Sequence, residues 1–274
     1  MVLRLVFAFL LLPLSWQQTE PAAQKSSGAK TPYTEKSEKE FAFYPGGKIV
    51  IAAAAPGSFT IAGWDKASVR VEMEKIFYYL SSEEAQALAK RYPIRVTYTA
   101  TTARISTGGA AQPGATMENN VQIFVPRDRT DLGIKMVKGD LSITSLRGSV
   151  EATLQEGNIE TKDLAGYFSL RTERGDFNVD LSGPRWTGYG FWGKTTQGSI
   201  QLKLPVIFSA ALQLGAKNGK ISVDYPEQMV EGESVPLKIL EKKKAASVSA
   251  PIGTGGSPIN LMTLSGNIVF TAKK

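Results

Sequence analysis

Residues 139–179 read GDLSITSLRGSVEATLQE (139–156), GNIETKDLAGYFSLRTER (157–174) and GDFNV (175–179), with a glycine at every ninth position. Alternating side chains follow each glycine, as in Leu141-x-Ile143 and Phe177-x-Val179. Alternation with a period of two over five residues predicts a short, half-buried strand. Glycine beside Asp, Asn or Ser predicts the tight turn before it. The stretch therefore predicts short strands joined by turns.

A second pattern doubles the period to eighteen residues. Two positions before each glycine, leucine alternates with a polar residue; the leucines are Leu146, Leu164 and Leu181, and the polar residues are Gln155 and Glu173. We infer coils of two strands on opposite sheets, with one apolar and one polar corner. A lone coil cannot bury its apolar face, so stacked coils form the core. The predicted fold class is all-β, a parallel β-solenoid or β-roll-like stack of coils of about 18 residues.

The repeat extends in both directions along the chain. Glycine followed by alternating apolar residues recurs at Gly47, Gly57, Gly198, Gly219 and Gly266. One solenoid domain is therefore predicted for residues 41–274. Its parts are N-terminal strands with a capping helix (41–135), regular repeats (136–225), an insertion (226–263) and a final strand (264–274).

Less regular elements are predicted around these repeats. Longer strands are expected at Ala67–Ile76, Ile94–Thr102 and Asn120–Val125, and a further strand near Val235–Leu240. Ser81-Ser82-Glu83-Glu84 has the form of a capping box, which predicts a helix over residues 82–91 ended by Pro93. We expect this helix to cover an end of the solenoid and protect an exposed sheet edge.

The N-terminus has the pattern of an export signal. Arg4 precedes an apolar run from Leu5 to Leu14, which is shorter than the roughly 20 residues of a membrane span. Residues 1–18 are predicted to be a signal peptide, so the protein is expected to be periplasmic, secreted or on the cell surface. Residues 19–40 are rich in polar and charged side chains and predict a disordered tether.

Composition excludes several chemistries. The chain has no His and no Cys, which removes Ser-His-Asp and Cys-His nucleophiles, thiolate metal sites and disulfides. The net charge of +7 is compatible with a glycan, another anionic envelope polymer or a membrane surface. The densest basic run, Lys242–Lys244, is too short for a nucleic-acid arm, so nucleic acid is not a predicted partner.

The acidic residues do not form a recognisable site. Calcium-binding rolls need carboxylates that recur along one edge, but only Asp140 and Asp176 follow a repeat glycine. We predict that these side chains cap turns and that the chain binds no metal or other cofactor. Strand charges such as Glu151, Arg171 and Asp180 are out of register at a period of eighteen, so no catalytic residues are assigned and no enzyme is predicted.

The repeat is broken by PRWTGYGFWGK at residues 184–194. Aromatic rings stack on sugars and favour membrane interfaces, so this stretch is a candidate ligand-contact loop. Its candidate residues are Arg185, Trp186, Tyr189, Phe191, Trp192 and Lys194. The alternative is that the loop folds back and covers an end or a face of the solenoid.

The glycine, Asp/Ser/Asn and alternating-strand repeats resemble those of the bacterial putative-adhesin family of exported β-strand-repeat proteins. Pro45-Gly46-Gly47 and Gly63-Trp64-Asp65 resemble the usual start of that family. The resemblance covers residues 41–225 and 264–272 and implies no catalytic residues. We predict a non-catalytic, adhesin-like interaction module of the cell envelope. The alternatives are a polysaccharide-active β-helix enzyme and a lipid-binding envelope regulator.

Overall fold

The structure is a computed structural model that describes residues 32–78, 80–108, 116–230 and 233–273. These residues form twenty-one strands and one helix, which confirms the all-β class with a single short helix. The elements up to the first long repeat strands are β1 (Tyr33–Ala42), β2 (Lys48–Ala53), β3 (Phe59–Trp64), β4 (Ser68–Tyr78), α1 (Ser82–Arg91), β5 (Arg95–Tyr98), β6 (Thr102–Thr107), β7 (Thr116–Pro126) and β8 (Asp128–Lys138). The next are β9 (Leu141–Glu156), β10 (Ile159–Arg174), β11 (Phe177–Asp180), β12 (Gly190–Gln197), β13 (Ile200–Pro205), β14 (Ala210–Ala216) and β15 (Ile221–Asp224). The last are β16 (Gln228–Val230), β17 (Glu233–Val235), β18 (Leu240–Lys242), β19 (Ala245–Ile252), β20 (Pro258–Ser265) and β21 (Ile268–Lys273).

The eighteen-residue period is the pairing register of the central strands. β9 and β10 pair in parallel, with Leu141 opposite Ile159 and Val150 opposite Phe168. β10 pairs with β11 at the same offset. It pairs with β12 at an offset of 23, with Phe168 opposite Phe191, because the aromatic interruption adds five residues to that coil.

β9 and β10 are long strands that each pair in two ladders. Their second halves belong to the first ladder, which pairs β6, β2, β8, β9, β10, β12, β20 and β14 in parallel. Their first halves belong to the second ladder, which pairs β7, β3, β9, β10, β11, β13, β21 and β15 in parallel. Positive φ angles at Ser145 and Asp163 turn the chain from one ladder to the other.

Burial follows the predicted alternation of apolar and polar positions before the repeat glycines. Leu146, Leu164 and Leu181 are buried, at 0, 7 and 0 % exposure. Gln155 and Glu173, at the opposite corner, are exposed. Alternate side chains of both ladders fill one continuous apolar core, which is the burial that makes a stack of short strands stable.

The repeat glycines stack along the polar corner. A Cβ on Gly139, Gly157, Gly175 or Gly198 would overlap the carbonyl oxygen of the corresponding glycine one coil earlier. Glycine at this position therefore lets adjacent coils approach to pairing distance.

The polar residues after these glycines cap the turns, as predicted. The backbone N–H of Asn158 donates to Asp140 Oδ1 at 2.8 Å, and that of Asp176 donates to Asn158 Oδ1 at 2.8 Å. The N–H of Ser199 donates to Asp176 Oδ1 at 2.7 Å. Each side chain thus accepts a hydrogen bond from the next coil, which satisfies backbone donors that the turn leaves unpaired.

The sheet is mixed, so the prediction of a uniformly parallel stack is wrong outside the central strands. β4 pairs antiparallel with β7, and β1 pairs antiparallel with β4. β5 pairs antiparallel with β6, and the strand predicted over Ile94–Thr102 is broken by a turn in which Thr99 Oγ1 accepts the N–H groups of Thr101 and Thr102. Antiparallel strands β1, β4 and β5 therefore flank the strands that pair in parallel.

The tether predicted for residues 19–40 is wrong for residues 33–40, because they belong to β1. β1 alternates charged side chains that pair across to β4, such as Lys36 Nζ with Glu74 Oε1 at 3.0 Å. Charged edge strands have the composition of a disordered segment and still complete a ladder. The signal peptide predicted at 1–18 and the tether up to residue 31 lie outside the described residues.

Helix α1 confirms the prediction for residues 82–91. Ser81 and Glu84 form the reciprocal hydrogen bonds of a capping box. Ala85 and Ala89 pack with Ala55, Phe77 and Met117 in a second small apolar cluster. The helix therefore buries the ends of strands that would otherwise expose apolar side chains.

The insertion at 226–263 contains strands that the sequence interpretation missed. The strand predicted near Val235–Leu240 is wrong, because Pro236–Ile239 are not strand residues and separate β17 from β18. β19 pairs antiparallel with β14, with Ala246 and Val248 buried. The predicted final strand at 264–274 corresponds to β21, whereas β20 lies mostly within the predicted insertion; the two strands belong to different ladders.

Tyr225 ties the end of β15 to the turn after β13, and its ionisation gives a pH-dependent test. The phenol donates to the Pro205 carbonyl oxygen at 2.6 Å, and burial raises the pKa of Tyr225 above the ordinary 10.0. The folded protein therefore holds this proton to higher pH than the unfolded chain does. The stability that it contributes is complete below the ordinary pKa and is lost as pH rises towards the folded pKa.

We expect Tyr225→Phe to cost about 1 kcal/mol near pH 8, the usual contribution of one such hydrogen bond. The difference in unfolding free energy between wild type and variant should shrink by about pH 11, because only the wild type carries this phenol. Urea unfolding at both pH values measures it. A difference that stays constant with pH would contradict the assignment.

Candidate functional site

The structure separates the six predicted contact residues into three groups. Trp186 and Phe191 are in the core, at 4 and 0 % exposure. Their rings contact each other edge to face at 5.7 Å between centroids, and Trp186 contacts Phe168 in the same way at 5.9 Å. Trp186 Nε1 donates to the Gly166 carbonyl oxygen at 3.2 Å. These two aromatic side chains therefore fill the core where the insertion widens the coil.

Arg185 and Tyr189 lie on the exposed edge of the loop. Tyr189 is 83 % exposed, and Arg185 forms an isolated backbone bridge with Ser209. Trp192 and Lys194 belong to β12 and lie on the outer face of the first ladder, where each is half-buried. This last pair faces a concave surface.

That surface is a groove across β10, β12 and β20. It encloses about 360 Å³ and is lined mainly by Tyr167, Arg171, Trp192, Lys194, Asn260 and Met262. The rings of Tyr167 and Trp192 lie 5.4 Å apart at an interplanar angle of 45°. Gly190 stands opposite Tyr167 in the register, and the missing side chain leaves room for the two rings to meet. The half-buried ring pair is a platform of the kind on which planar or ring-shaped ligands stack.

Cations line up beside this aromatic platform. The register places Lys135, Thr153, Arg171 and Lys194 opposite one another on four successive strands, which are about 4.8 Å apart. Among the described residues, Arg171 and Lys194 make no ion pair. A wider depression of about 620 Å³ continues the row towards β8, β2 and β6, and its lining includes Lys48, Arg104 and Lys135. Glu151 also lines it, so the face is basic but not uniformly so.

One polar atom in the groove has no partner. Asn260 Oδ1 is buried, and no described group donates to it. Asn260 stands opposite Trp192 in the register, so this acceptor lies beside the aromatic platform. A buried acceptor without a donor is destabilising.

The net positive charge of the whole chain is concentrated in its C-terminal third. Residues 181–274 contain eleven Lys and Arg and five Asp and Glu, a net of +6 out of the total +7. The five acidic residues all lie within 224–241, so β12, β13, β14, β20 and β21 carry no carboxylate side chain. This part of the fold favours anionic partners.

A second cavity, of about 590 Å³, lies between β1, β4, β7 and β3. Three of its four lining charges are paired: Lys36 with Glu74 at 3.0 Å, and Glu72 with the neighbouring Arg70 at 3.2 Å, whereas Glu38 makes no ion pair among the described residues. The hydrogen bond from Lys36 lowers the pKa of the half-buried Glu74 carboxyl. Because most of these groups satisfy one another, the groove, with its aromatic platform and two unpaired cations, is the better candidate site.

The charged strand residues do not come together as a reactive cluster. Glu151 stands opposite Ser169, and Arg171 opposite Thr153. Asp180 is paired with Lys273.

In the described part of the chain, no group of three or more His, Cys, Asp or Glu could hold a metal ion. Among the same residues, no helix has the length and apolar character to cross a membrane.

The fold and groove define an all-β, repeat-built protein with a basic aromatic face. No family model and no curated protein matches the chain. A putative cell adhesion protein from Clostridium sporogenes is 10% identical, with 87% of this chain and 100% of that chain covered and a TM-score of 0.42. A putative adhesin from Bacteroides fragilis is 12% identical, with 87% and 97% covered and a TM-score of 0.41.

A third similar structure is a putative lipid binding protein from Parabacteroides distasonis. It is 11% identical, with 88% of this chain and 97% of that chain covered and a TM-score of 0.23. Solved structures similar to the chain are thus described as putative adhesins, which is also the family that the repeat resembles. Likenesses this distant define no ligand for the chain.

Sequence inspection missed the half of the groove that lies outside the aromatic loop. Tyr167, Arg171, Asn260 and Met262 come from β10 and β20. The repeat register could have located Arg171. If the five extra residues of the aromatic interruption are left out, the repeat places Ser169 opposite Trp192 and Arg171 opposite Lys194. Asn260 and Met262 follow an insertion too long for that alignment.

Proposed function

We propose that this protein is a non-catalytic, adhesin-like binding module of the cell envelope that binds an anionic glycan in the groove of β10, β12 and β20. The observation that carries the proposal is the Tyr167–Trp192 platform next to unpaired Arg171 and Lys194. A sugar ring stacks on the platform, and its carboxylate or sulfate meets the cations.

The geometry favours a polymer over a small ligand. The groove is shallow, and its cations continue along the first ladder towards Lys135 and Arg104. Successive strands at about 4.8 Å form a flat, extended basic face. A chain of charged sugars contacts such a face at several points and gains affinity from each.

Two further proposals concern the setting of this module. We propose that its parallel ladders wind as a β-solenoid, because the same coil offset recurs in both. We propose that residues 1–18 export it, which brings the groove into contact with envelope or extracellular glycans.

Binding is tested with the full chain and immobilised sulfated polysaccharide, polygalacturonate and neutral dextran. We expect both acidic polymers to bind and dextran to bind much more weakly. Affinity for the acidic polymers should fall as salt increases. No binding to either acidic polymer would overturn the glycan proposal, and release of reducing ends from them would overturn its non-catalytic part.

Replacing the platform gives the sharpest test. Trp192→Ala should weaken binding to the acidic polymers about tenfold, because a stacked aromatic ring contributes on the order of 1.5 kcal/mol. Tyr44→Ala removes a more exposed aromatic ring, 65 % exposed and outside the groove, and should leave affinity unchanged. Equal effects of the two substitutions would show that the groove is not the contact.

The cations have a matched control on the same strand. Arg171→Gln should weaken binding and reduce its salt dependence, because Arg171 faces the groove. Lys162→Gln removes an exposed cation from the first half of β10, which belongs to the second ladder. If both substitutions lower the affinity equally, binding follows overall charge and not the groove.

A further inference from the structure

Strand β1 lies beyond β7 and β4 at one end of the second ladder, and one of its edges has no partner strand in the described part of the chain. β1 pairs antiparallel with β4 along all ten of its residues, and no other described strand pairs with it. Residues 34–38 are exposed at every position, whichever face of the strand they lie on. Every second residue of an edge strand directs its N–H and C=O groups away from the sheet, so this edge of β1 can accept a further strand.

One carboxylate of β1 has an unfavourable neighbour in a single copy of the chain. The register places Glu38 opposite Glu72 of β4. Glu72 forms an ion pair with Arg70 at 3.2 Å, whereas Glu38 makes no ion pair among the described residues. Like charges directly opposite one another on neighbouring strands are destabilising. A cation on the free side of β1 would therefore stabilise Glu38.

The sequence of β1 supplies that cation when two copies of the strand run antiparallel. If Ser37 stands opposite Ser37 of a second copy, every charged residue from 35 to 39 stands opposite a charge of the other sign. The pairs, each formed twice, are Lys36 with Glu38 and Glu35 with Lys39. Opposite charges on directly opposed residues stabilise a strand pair, so the edge of β1 is complementary to itself.

Neighbouring registers lack this match. A shift by one residue in one direction sets Lys36 opposite Lys39, and a shift in the other direction sets Glu35 opposite Glu38. Parallel pairing in register would set every charge opposite its own kind. Charged side chains ordinarily protect an edge strand from pairing, but here their order favours one antiparallel register, centred on Ser37.

We propose that two copies of this chain pair through the free edges of β1, antiparallel and centred on Ser37, so that the second ladder continues across a two-fold axis. A two-fold interface forms each contact twice, so Lys36 of each copy meets Glu38 of the other. Main-chain hydrogen bonds provide the affinity, and the charged pairs fix the register. One short strand pair buries little surface, so the dimer should dissociate on dilution. The residues that line the glycan groove do not lie on β1, so the dimer does not depend on the proposed function.

Sedimentation velocity of the full chain at increasing concentration measures this association. We expect the wild type to pass from monomer to dimer. Glu38→Lys should raise the dissociation constant about tenfold or more, because two contacts between opposite charges become contacts between like charges. Within one copy it places a lysine opposite Glu72, so stability should not fall. Glu160→Lys makes the same change of net charge at an exposed position of β10 that has no ion pair among the described residues, and it should leave the dimer unchanged.

A mixture of two variants tests the register more sharply. Lys36→Glu also sets like charges opposite one another, so it should associate with itself as poorly as Glu38→Lys does. Together the two variants restore opposite charges at both contacts. A heterodimer should therefore form at concentrations where neither variant dimerises alone. If the mixture stays monomeric where the wild type dimerises, the proposal is wrong.

The chain has no cysteine, so an introduced thiol reports which residues meet. Ser37→Cys places two thiols opposite each other at the two-fold axis, close enough for a disulfide, and mild oxidation should give a covalent dimer. Thr34→Cys, equally exposed on the same strand, should give none. Its two thiols would lie roughly 20 Å apart, because residue 34 stands opposite residue 40 in this register. A wild type that is monomeric at every concentration, or equal cross-linking of both variants, would overturn the proposal.

Discussion

Gly157→Ala is expected to destabilise the fold by about 3 kcal/mol or more, because it combines two costs. Gly157 has a φ of +145°, a region that is almost confined to glycine. A Cβ there would also overlap the carbonyl oxygen of Gly139 in the coil before it. The obstacle is backbone, not a flexible side chain, so the two coils must separate to accommodate the methyl group.

Gly133→Ala is the matched control for this prediction. Gly133 lies in β8, no atom beyond its chain neighbours lies within 4 Å of the position that an alanine Cβ would take, and its φ is outside the left-handed region. Alanine is better than glycine in a strand interior by roughly 0.5–1 kcal/mol, so this variant should be neutral or slightly stabilised. Thermal unfolding should show Gly157→Ala melting roughly 6–12 °C below the wild type. Equal melting temperatures for the two variants would mean that the stacked glycines are not required.

The glycine stack also explains why so much of the centre was predictable. The nine-residue spacing is local, and the coil that it encodes repeats the same turn, cap and corner. The predicted corner leucines and turn-capping side chains are therefore confirmed at Leu146 and Asp140. Helix α1 was equally predictable, since a capping box acts within one turn of chain.

The edges of the fold were harder to predict because they depend on contacts distant in sequence. β1 is charged along most of its length, and only its pairing with β4 makes it a strand. β19 lies in an insertion without repeat glycines and is recognised as a strand through its pairing with β14. Composition alone assigns such segments to linkers and loops.

The candidate site was predicted in part for a related reason. The sequence located Trp192 and Lys194, which lie in the groove, but it placed Trp186 and Phe191 beside them as equals. Which aromatic side chain faces inward depends on the strand register after the insertion, and a shift of one residue reverses the face. The groove also needs Asn260, whose neighbour Trp192 is far away in sequence.

Trp186→Ala is expected to cost about 3–5 kcal/mol of stability, the usual range for truncating a buried aromatic side chain. Trp186 is 4 % exposed, contacts Phe168 and Phe191, and donates a hydrogen bond to the Gly166 carbonyl oxygen. Alanine would leave a cavity beside both rings and an unsatisfied carbonyl oxygen.

Tyr189→Ala, three residues further along the same loop, removes a ring that is 83 % exposed and should change stability by less than about 0.5 kcal/mol. Urea unfolding of both variants measures the contrast. A small effect of Trp186→Ala would return this residue to the ligand-contact loop that the sequence predicts. A large effect, with Trp192→Ala weakening glycan binding at unchanged stability, would divide the aromatic residues between two roles. Trp186 would then hold the widened coil together, and Trp192 would serve the groove.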